Sequence, residues 1–441
     1  MSTQGCINQA EMVKYQRENA EEPRTGPGTM DHGGVNHIDN ANRNRRIILN
    51  IIRENAPATR RQLASMSGLS LSTTKRVVES LQAESLIKEA KLTPDDTAHP
   101  KRGRRAHAIR LNPDFAYSVG VVIRPGIMEL CAVDLEGAVA YEKSHPVNDI
   151  SREEYVREVA RNVQDVIARM NGEKKRRLLG VGAGVAGVVS ARDGIVHYCP
   201  NIPGWENTPL AEILADELDC DVLVDDSVRC RALAEKRYGT GRSLPDFLYL
   251  YFGRGVGAGM LIDNRIFRGA NGLAGEFGHI TVDGDGPLCR CGNNGCLEAI
   301  VSEEAILRST REMIESNVYC SMRSALERGE ELSLEMIQNE GRRGDKLAGM
   351  IINDVGEAIG TGIADLVNVL DPGVVVCGGE VIAQFGESVV GLVERTVKLR
   401  AIHSIAQRTR VLTSSVSQSA AARGAATLMI ERFMANEVLS L

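Results

Sequence analysis

Four side chains able to ligate a metal fall in one short segment, GEFGHITVDGDGPLCRCGNNGCLE, running from Gly275 to Glu298. His279, Cys289, Cys291 and Cys296 supply one imidazole and three thiolates, a full tetrahedral donor set for Zn2+. Gly292 and Gly295 lie between the last two cysteines, where a tight loop needs backbone free to take positive φ. A C-x-C pair closes too small a ring for an easy disulfide, so a metal knuckle is favoured over a disulfide or a set of buried structural thiols. With all four positions filled by protein, the ion would be structural, leaving no open position for an activated water. Glu276 and Glu298 bracket the cluster.

The elements that must position this segment belong to a chain of 441 residues. That length suggests about three domains. Hydrophobic residues make up 43% but aromatics only 4%, so aliphatic side chains must build the core. The ten cysteines are spread too widely for a disulfide scaffold. Cys6, Cys131, Cys199, Cys220, Cys230, Cys320 and Cys377 have no metal spacing and read as small hydrophobes. The chain starts polar, without a signal pattern, and no apolar run is long enough to cross a bilayer. A cytoplasmic protein with no membrane partner is expected.

Charge is uneven. Residues 43–110 hold fifteen Lys and Arg against six Asp and Glu, a net of +9, which leaves the rest of the chain at −15. A basic module on an acidic body implies a polyanionic partner for the module alone. Residues 1–42 lack apolar periodicity and read as a disordered arm. Residues 43–111 read as a small helical domain. Ile47, Ile48, Ile51 and Ile52 have helical spacing, and Pro57 and Thr59 open a second helix with Leu63 and Met66 inward. Ser67–Gly68 makes a turn, and a third helix starts near Leu71 with Val77, Val78 and Leu81 inward. Strands at Leu86–Ile87 and Ala108–Leu111 flank the basic tip HPKRGRRAH. This is the pattern of a winged helix-turn-helix. Its third helix would present Ser72, Thr73, Thr74, Lys75 and Arg76 to base edges in the DNA major groove. Lys101, Arg102, Arg104 and Arg105 of the wing would meet phosphates or enter the minor groove. A protein-interaction bundle with a solvated charge run is the alternative.

Beyond Asn112 the chain alternates apolar strands with helices. AYSVGVVI, IMELCAVD and VAYEKSHPV suggest an antiparallel start, followed by an amphipathic helix over 152–170. LLGVGAGVAGVV is a buried strand entering a glycine turn, and CDVLVDD leads into a helix over 228–238. LYLYFGRGVGAGMLI opens a second set of strands, 303–370 is largely helical, GVVVCGGEVI returns as a strand and glycine loop, and a long helix ends the chain. Two αβ lobes facing a cleft account for this order.

The Gly275–Glu298 segment resembles the signature of the ROK family of repressors and sugar kinases, and the resemblance spans roughly residues 43–441. It implies an α/β fold with an N-terminal winged helix-turn-helix (43–111) followed by a two-lobed actin-like, ribonuclease-H-like sugar-binding domain (112–441). Lobe 1 would take about 112–230 plus the C-terminal helix, and lobe 2 about 231–420. GAGVAGVV from Gly182 is similar to the family's G-x-G-x-P-G loop, with Ala186 for the proline and Gly187 as its last glycine. Asn201 in PNIPGW, Glu276, His279 and Glu298 match the family's contacts to sugar hydroxyls. His279 would thus turn one ring nitrogen to zinc and the other to the sugar.

The kinase motifs fit badly. VVIRPG stands where family kinases have D-x-G-G-T, placing Val122 at the aspartate and Arg124–Pro125 at two glycines. Counting back from Ala234–Glu235, Ser227 takes the position of the catalytic base and Asp226 that of a sugar-contacting asparagine; a one-residue slip would make Asp226 the base. Arg254 replaces the usual threonine of the second glycine loop. These departures imply a sugar-responsive transcription regulator, in this family most often a repressor, with no catalytic residues. It would act on operator DNA as a homodimer or dimer of dimers. A sugar kinase carrying an added DNA-binding head is the alternative.

Overall fold

In the computed structural model of the chain, the described residues are 37–90, 108–147, 150–173, 176–199, 202, 204–316, 318–417 and 419–436. Most of the expected arm, the wing's Lys101, Arg102, Arg104 and Arg105, and Asn201 lie outside them.

The head opens with α1 (His37–Asn55), which begins ahead of the boundary expected at Arg43. Strand β1 (Ala58–Thr59) leads into α2 (Arg60–Ser67). Thr59 and Gln62 form a capping box at its start, and Gly68 ends it at φ 68°. Helix α3 (Leu71–Ala83) is capped by Ser70, whose hydroxyl accepts from the Thr73 N–H. Strands β2 (Ile87–Ala90) and β3 (Ala108–Leu111) complete an antiparallel sheet in the order β1-β3-β2. Ile48, Leu49, Ile52, Leu63, Val78 and Leu81 are buried together in the head.

Two of the head's expectations are corrected. Met66 is 52% exposed, because α2 is so short that Leu63 and Ala64 alone face inward. Thr74 is fully buried, because it lies on the same stripe of α3 as Val77, Val78 and Leu81. It cannot reach a DNA base.

Lobe 1 is built from β4 (Ala116–Arg124), β5 (Ile127–Asp134) and β6 (Val139–Pro146), then α4 (Arg152–Glu173), β7 (Arg177–Val185), a ribbon of β8 (Val188–Ser190) and β9 (Ile195–Tyr198), α5 (Leu210–Leu218) and β10 (Val222–Asp226). The sheet order is β10-β7-β4-β5-β6, antiparallel through β4-β5-β6 and parallel through β10-β7-β4. Helix α6 (Ser227–Tyr238) follows β10 directly.

Lobe 2 contributes β11 (Phe247–Phe252), β12 (Val256–Ile262) and β13 (Arg265–Phe267). Helices α7 (Leu297–Val301), α8 (Glu303–Glu315), α9 (Met322–Glu327), α10 (Leu334–Arg342) and α11 (Lys346–Leu370) come next. Then follow β14 (Val374–Gly378), α12 (Glu380–Phe385), α13 (Glu387–Arg400), α14 (His403–Ala406) and β15 (Arg410–Thr413). Its sheet runs β13-β12-β11-β14-β15, over an aliphatic core that includes Ile351, Val355, Ile359 and Ile363 of α11.

The chain closes with α15 (Ala420–Asn436), which returns to lobe 1. Alanines on the helix and glycines on the strands let the two backbones nearly touch. A Cβ on Gly120 of β4 would fall 2.0 Å from the Ala422 carbonyl oxygen, and one on Gly182 of β7 would fall 1.8 Å from that of Ala425. The same helix also meets the head. Ile48, Leu49 and Ile52 of α1 share one apolar cluster with Ala422, Ala426, Ile430 and Met434 of α15 and with Cys131 and Val133 of β5. Ion pairs Arg110–Glu136 and Lys88–Asp114 join the head's sheet to lobe 1. The head is therefore packed onto lobe 1, not hung from it. Among the described residues no helix is long and apolar enough to cross a membrane.

Candidate functional site

The metal knuckle begins in a short 3-10 turn, Phe277–His279, and ends at the start of α7. Paired bridges Thr281↔Cys296 and Leu288↔Asn294 fold the segment back on itself. Gly292 (φ 95°) and Gly295 (φ 64°) take the left-handed conformations that their spacing suggested. A Cβ on Gly295 would lie 1.5 Å from the Asp283 carbonyl oxygen, so no other residue fits there.

The donor atoms of His279, Cys289, Cys291 and Cys296 all lie within 4.8 Å of one another. His279 Nδ1 is 3.6 Å from Cys289 Sγ, and Cys291 Sγ is 3.6 Å from Cys296 Sγ. A tetrahedron with metal–sulfur bonds of about 2.3 Å has sulfur–sulfur edges of about 3.8 Å. The donor set and its spacing thus fit a tetrahedral metal. The Asn293 backbone N–H holds the exposed Cys291 thiol below its ordinary range, while burial pushes that of Cys296 up to about 12.

The other face of His279 opens on the cleft. Its Nε2 lies 4.0 Å from Glu276 Oε2. Desolvation raises the Glu276 pKa; Arg229 opposes this and Glu298 adds to it. Glu298 Oε2 accepts a hydrogen bond from the Val256 N–H at 2.9 Å, which fixes it beside the second glycine loop. Asp226, from lobe 1, caps α6 by accepting from the N–H groups of Val228 and Arg229 at 2.9 and 3.0 Å. Burial pushes its carboxyl up to about 7, against the pull of Arg229 and with help from Asp225 and Glu276. Asp226, Glu276, His279 and Glu298 therefore converge from two lobes. Gly187 lies on the lobe 1 side, where a Cβ would meet the Tyr198 carbonyl oxygen at 2.4 Å. It packs closely against the end of β9.

Sequence reasoning missed the residue that ties these walls together. Arg229 is buried. Its Nε donates to Asp225 at 2.6 Å, and its terminal nitrogens donate to the carbonyls of Val189, Gly272 and Ala274 at 2.7–3.1 Å. Arg268 pairs with the other Asp225 oxygen at 2.6 Å. The available signal was the arginine-rich helix SVRCRALAEKRY, almost wholly buried and with no clear apolar stripe.

The far side of the cleft holds the altered glycine loops. Arg124 pairs with Glu129 at 2.8 Å and reaches across to Glu380 of lobe 2 at 3.3 Å. Tyr251 donates to Glu380 at 2.7 Å, and Arg231 stacks 4.8 Å over the Tyr251 ring. Arg254 donates to the Pro125 carbonyl at 3.0 Å. Side chains thus bridge the loops where a kinase would admit phosphate oxygens.

In the head, Ser72, Lys75 and Arg76 are exposed on α3 and Thr73 is partly so. Lys75 pairs with Glu79 at 3.7 Å, and the Ser72 and Thr73 hydroxyls bond that of Ser70 at 2.8 and 2.9 Å. The exposed row is that of a helix free to enter a groove.

A DNA-binding head joined to a two-lobed, sugar-kinase-like body is the class these features define. The ROK family model matches residues 121–432, and a winged helix-turn-helix DNA-binding model matches residues 42–88. The chain belongs to the ROK family. It is 27% identical to a xylose repressor of Caldicellulosiruptor bescii, over 88% of this chain and 95% of the relative. A glucokinase of Thermotoga maritima is 28% identical over 98% of its own length but only 69% of this chain. The repressor thus matches nearly end to end, and the kinase in part. A crystal structure of a ROK family transcriptional regulator, homolog of the E. coli MLC protein, covers 91% of this chain with a TM-score of 0.76 and 24% identity, a likeness of fold.

Proposed function

We propose that this chain is a sugar-responsive repressor that binds operator DNA as a homodimer in the cytoplasm. One observation carries the reading: a helix-turn-helix with an exposed basic row is packed onto a body whose cleft gathers Asp226, Glu276, His279 and Glu298. The near full-length similarity to a xylose repressor supports it.

Carboxylates suit sugar hydroxyls because they accept charge-assisted hydrogen bonds. Asp226 comes from lobe 1 and Glu276, His279 and Glu298 from lobe 2, so a sugar held by both sets favours one lobe angle. It shifts the equilibrium only by its differential affinity for the two arrangements. Paired heads would then lose half-site register. Ser72, Thr73, Lys75 and Arg76 face the bases, with Lys101, Arg102, Arg104 and Arg105 on phosphates. Zn2+ held by His279, Cys289, Cys291 and Cys296 would serve structure and fix the His279 tautomer.

The kinase reading has one observation in its favour: Asp226, with a carboxyl at about 7, stands at the cleft as a base would. Both N–H bonds of the α6 cap fall on one Asp226 oxygen, which leaves the other for a hydroxyl on either reading; what speaks against the kinase is the other side of the cleft. The loops that would cradle phosphate are bridged by Arg124 and Arg254.

The test is operator binding followed by fluorescence anisotropy with D-xylose, D-glucose and N-acetyl-D-glucosamine. One sugar weakens binding, and Lys75→Ala and Arg76→Ala weaken it without any sugar. Turnover of ATP on any hexose would overturn the reading in favour of the kinase.

A further inference from the structure

We infer that α6 is the lever that carries the sugar signal to the DNA-binding head, and that Arg237 and Glu431 are the residues that deliver it. The inference rests on the repressor reading above and specifies how that site is regulated.

The helix touches both ends of the problem. Its first turn lies in the cleft: Asp226 caps it, and Arg229 ties it to Val189 of lobe 1 and to Gly272 and Ala274 of lobe 2. Ala274 is two residues before Glu276, so movement of that carboxylate pulls directly on the Arg229 side chain. Twelve residues later the helix ends at Tyr238, about 18 Å away. There Arg237 donates to both oxygens of Glu431 on α15 at 2.6 and 3.0 Å and faces Glu54 of α1 at 3.9 Å. Glu431 also pairs with Arg53 of α1. Arg53 and Glu54 sit in the last turn of α1, immediately ahead of β1 and α2, so this knot grips the head at the entrance to its helix-turn-helix.

Between the two ends α6 cannot slip. A Cβ on Gly424 of α15 would lie 1.8 Å from the Cys230 carbonyl oxygen, and one on Gly259 of β12 would lie 2.5 Å from the Ala232 Cβ. Backbone rests on backbone, and Tyr238 bonds Thr427 at 2.8 Å. Close packing of this kind passes displacement along instead of absorbing it. The helix lies between the lobe 2 sheet and α15, so a change in lobe angle must move it against one of them. The charged knot turns that motion into a force on α1. Both sites bias the same rigid element, which is the physical condition for coupling.

The test compares full-length wild type, Glu431→Gln and Arg237→Gln, with Arg432→Gln as a control. Arg432 is the next residue of the same helix but pairs with Asp221 of lobe 1 and, among the described residues, with none of the head. Operator binding is measured by anisotropy with and without each of the three sugars, and sugar binding separately by calorimetry. In the wild type the effective sugar weakens operator binding by a factor on the order of 10–100. In Glu431→Gln and Arg237→Gln that factor falls below about 3, while sugar affinity and sugar-free operator affinity stay within about 3-fold of wild type; Arg432→Gln responds as wild type. Should a variant fold poorly, Arg53→Gln cuts the same knot from the head and gives the same loss. A full sugar response in the folded knot variants would overturn the inference and leave the repressor reading intact. A wild type that no sugar affects would overturn that reading, and the inference with it.

Discussion

The two sides of the cleft come from the same two lobes and have opposite chemistry. On one side, three carboxylates and a histidine converge, and that histidine turns its second nitrogen toward three cysteines. On the other, the groups that would meet a nucleotide meet each other: Arg124 with Glu129 and Glu380, Arg254 with Pro125. One side gathers carboxylates and an imidazole, whereas the other pairs its charges with each other. On the repressor reading, a fold shared with sugar kinases would keep the polar side of its cleft for a sugar and close the other side with its own ion pairs and hydrogen bonds. The head is packed on lobe 1 and α15, so a change in lobe angle, if a sugar causes one, would reach it through those contacts.

The largest effect should come from breaking the metal knuckle. Cys296→Ser removes a buried donor at the junction with α7. Bound metal, measured by atomic absorption, is expected to fall from one equivalent per chain to none. A structural metal contributes several kcal/mol of folding free energy, so the urea midpoint should drop markedly. His279 and Glu276 lose their support, and sugar binding should vanish. Full sugar affinity in a metal-free protein would separate the knuckle from the cleft.

Next come the carboxylates themselves. A hydrogen bond to a charged group contributes about 1.5–3 kcal/mol. Glu298→Ala should therefore weaken sugar binding by roughly 10–150-fold in calorimetry, with sugar-free operator binding unchanged. Arg124→Ala should do the reverse. It leaves Glu129 and Glu380 without their shared cation, and breaking such a pair costs about 3 kcal/mol, readable in urea unfolding, while sugar affinity moves by less than about 3-fold. Sugar binding that collapses in Arg124→Ala would show that the two sides work as one site.

The carboxylate side of the cleft was far more legible in the sequence than the arginine-bridged side. The knuckle's ligands and its two strained glycines are local, so spacing alone exposes them. The head's caps are local too: Thr59 with Gln62, and Ser70 before α3. Thr74 was misplaced because its type suits a DNA contact, whereas the helical period turns it inward with Val78. The cross-lobe partner of Arg124 was invisible, since Glu380 stands more than 250 residues away and no local pattern pairs them. Arg229 was missed for a related reason. Its acceptors are mostly backbone carbonyls, on β8 and on the loop that follows β13, and carbonyls leave no trace in residue types. The docking of the head could not be read either, because the alanines of α15 announce small volume without naming what fills it.

The smallest effect concerns Asp226, and it sharpens the comparison because this residue lies where the two sides meet. Its carboxyl is raised to about 7, chiefly by burial, with Asp225 and Glu276 facing it and Arg229 opposing. A carboxyl raised on folding contributes stability that is fully present below its unfolded pKa and is lost as pH rises through the folded value. The folded wild type should therefore lose stability from Asp226 between about pH 4 and pH 7. Asp226→Asn, whose amide oxygen can still cap α6, should gain on wild type in urea midpoint at pH 8 and match it more nearly at pH 5. Sugar binding should run the other way. The ionised form accepts a hydroxyl proton more strongly, so sugar affinity should rise severalfold from pH 6 to pH 8 in wild type and stay flat in Asp226→Asn. Calorimetry in two buffers of different ionisation enthalpy would show the proton released on binding below pH 7. If wild type and variant keep one constant stability difference across this range, Asp226 is ionised throughout and belongs to the helix alone.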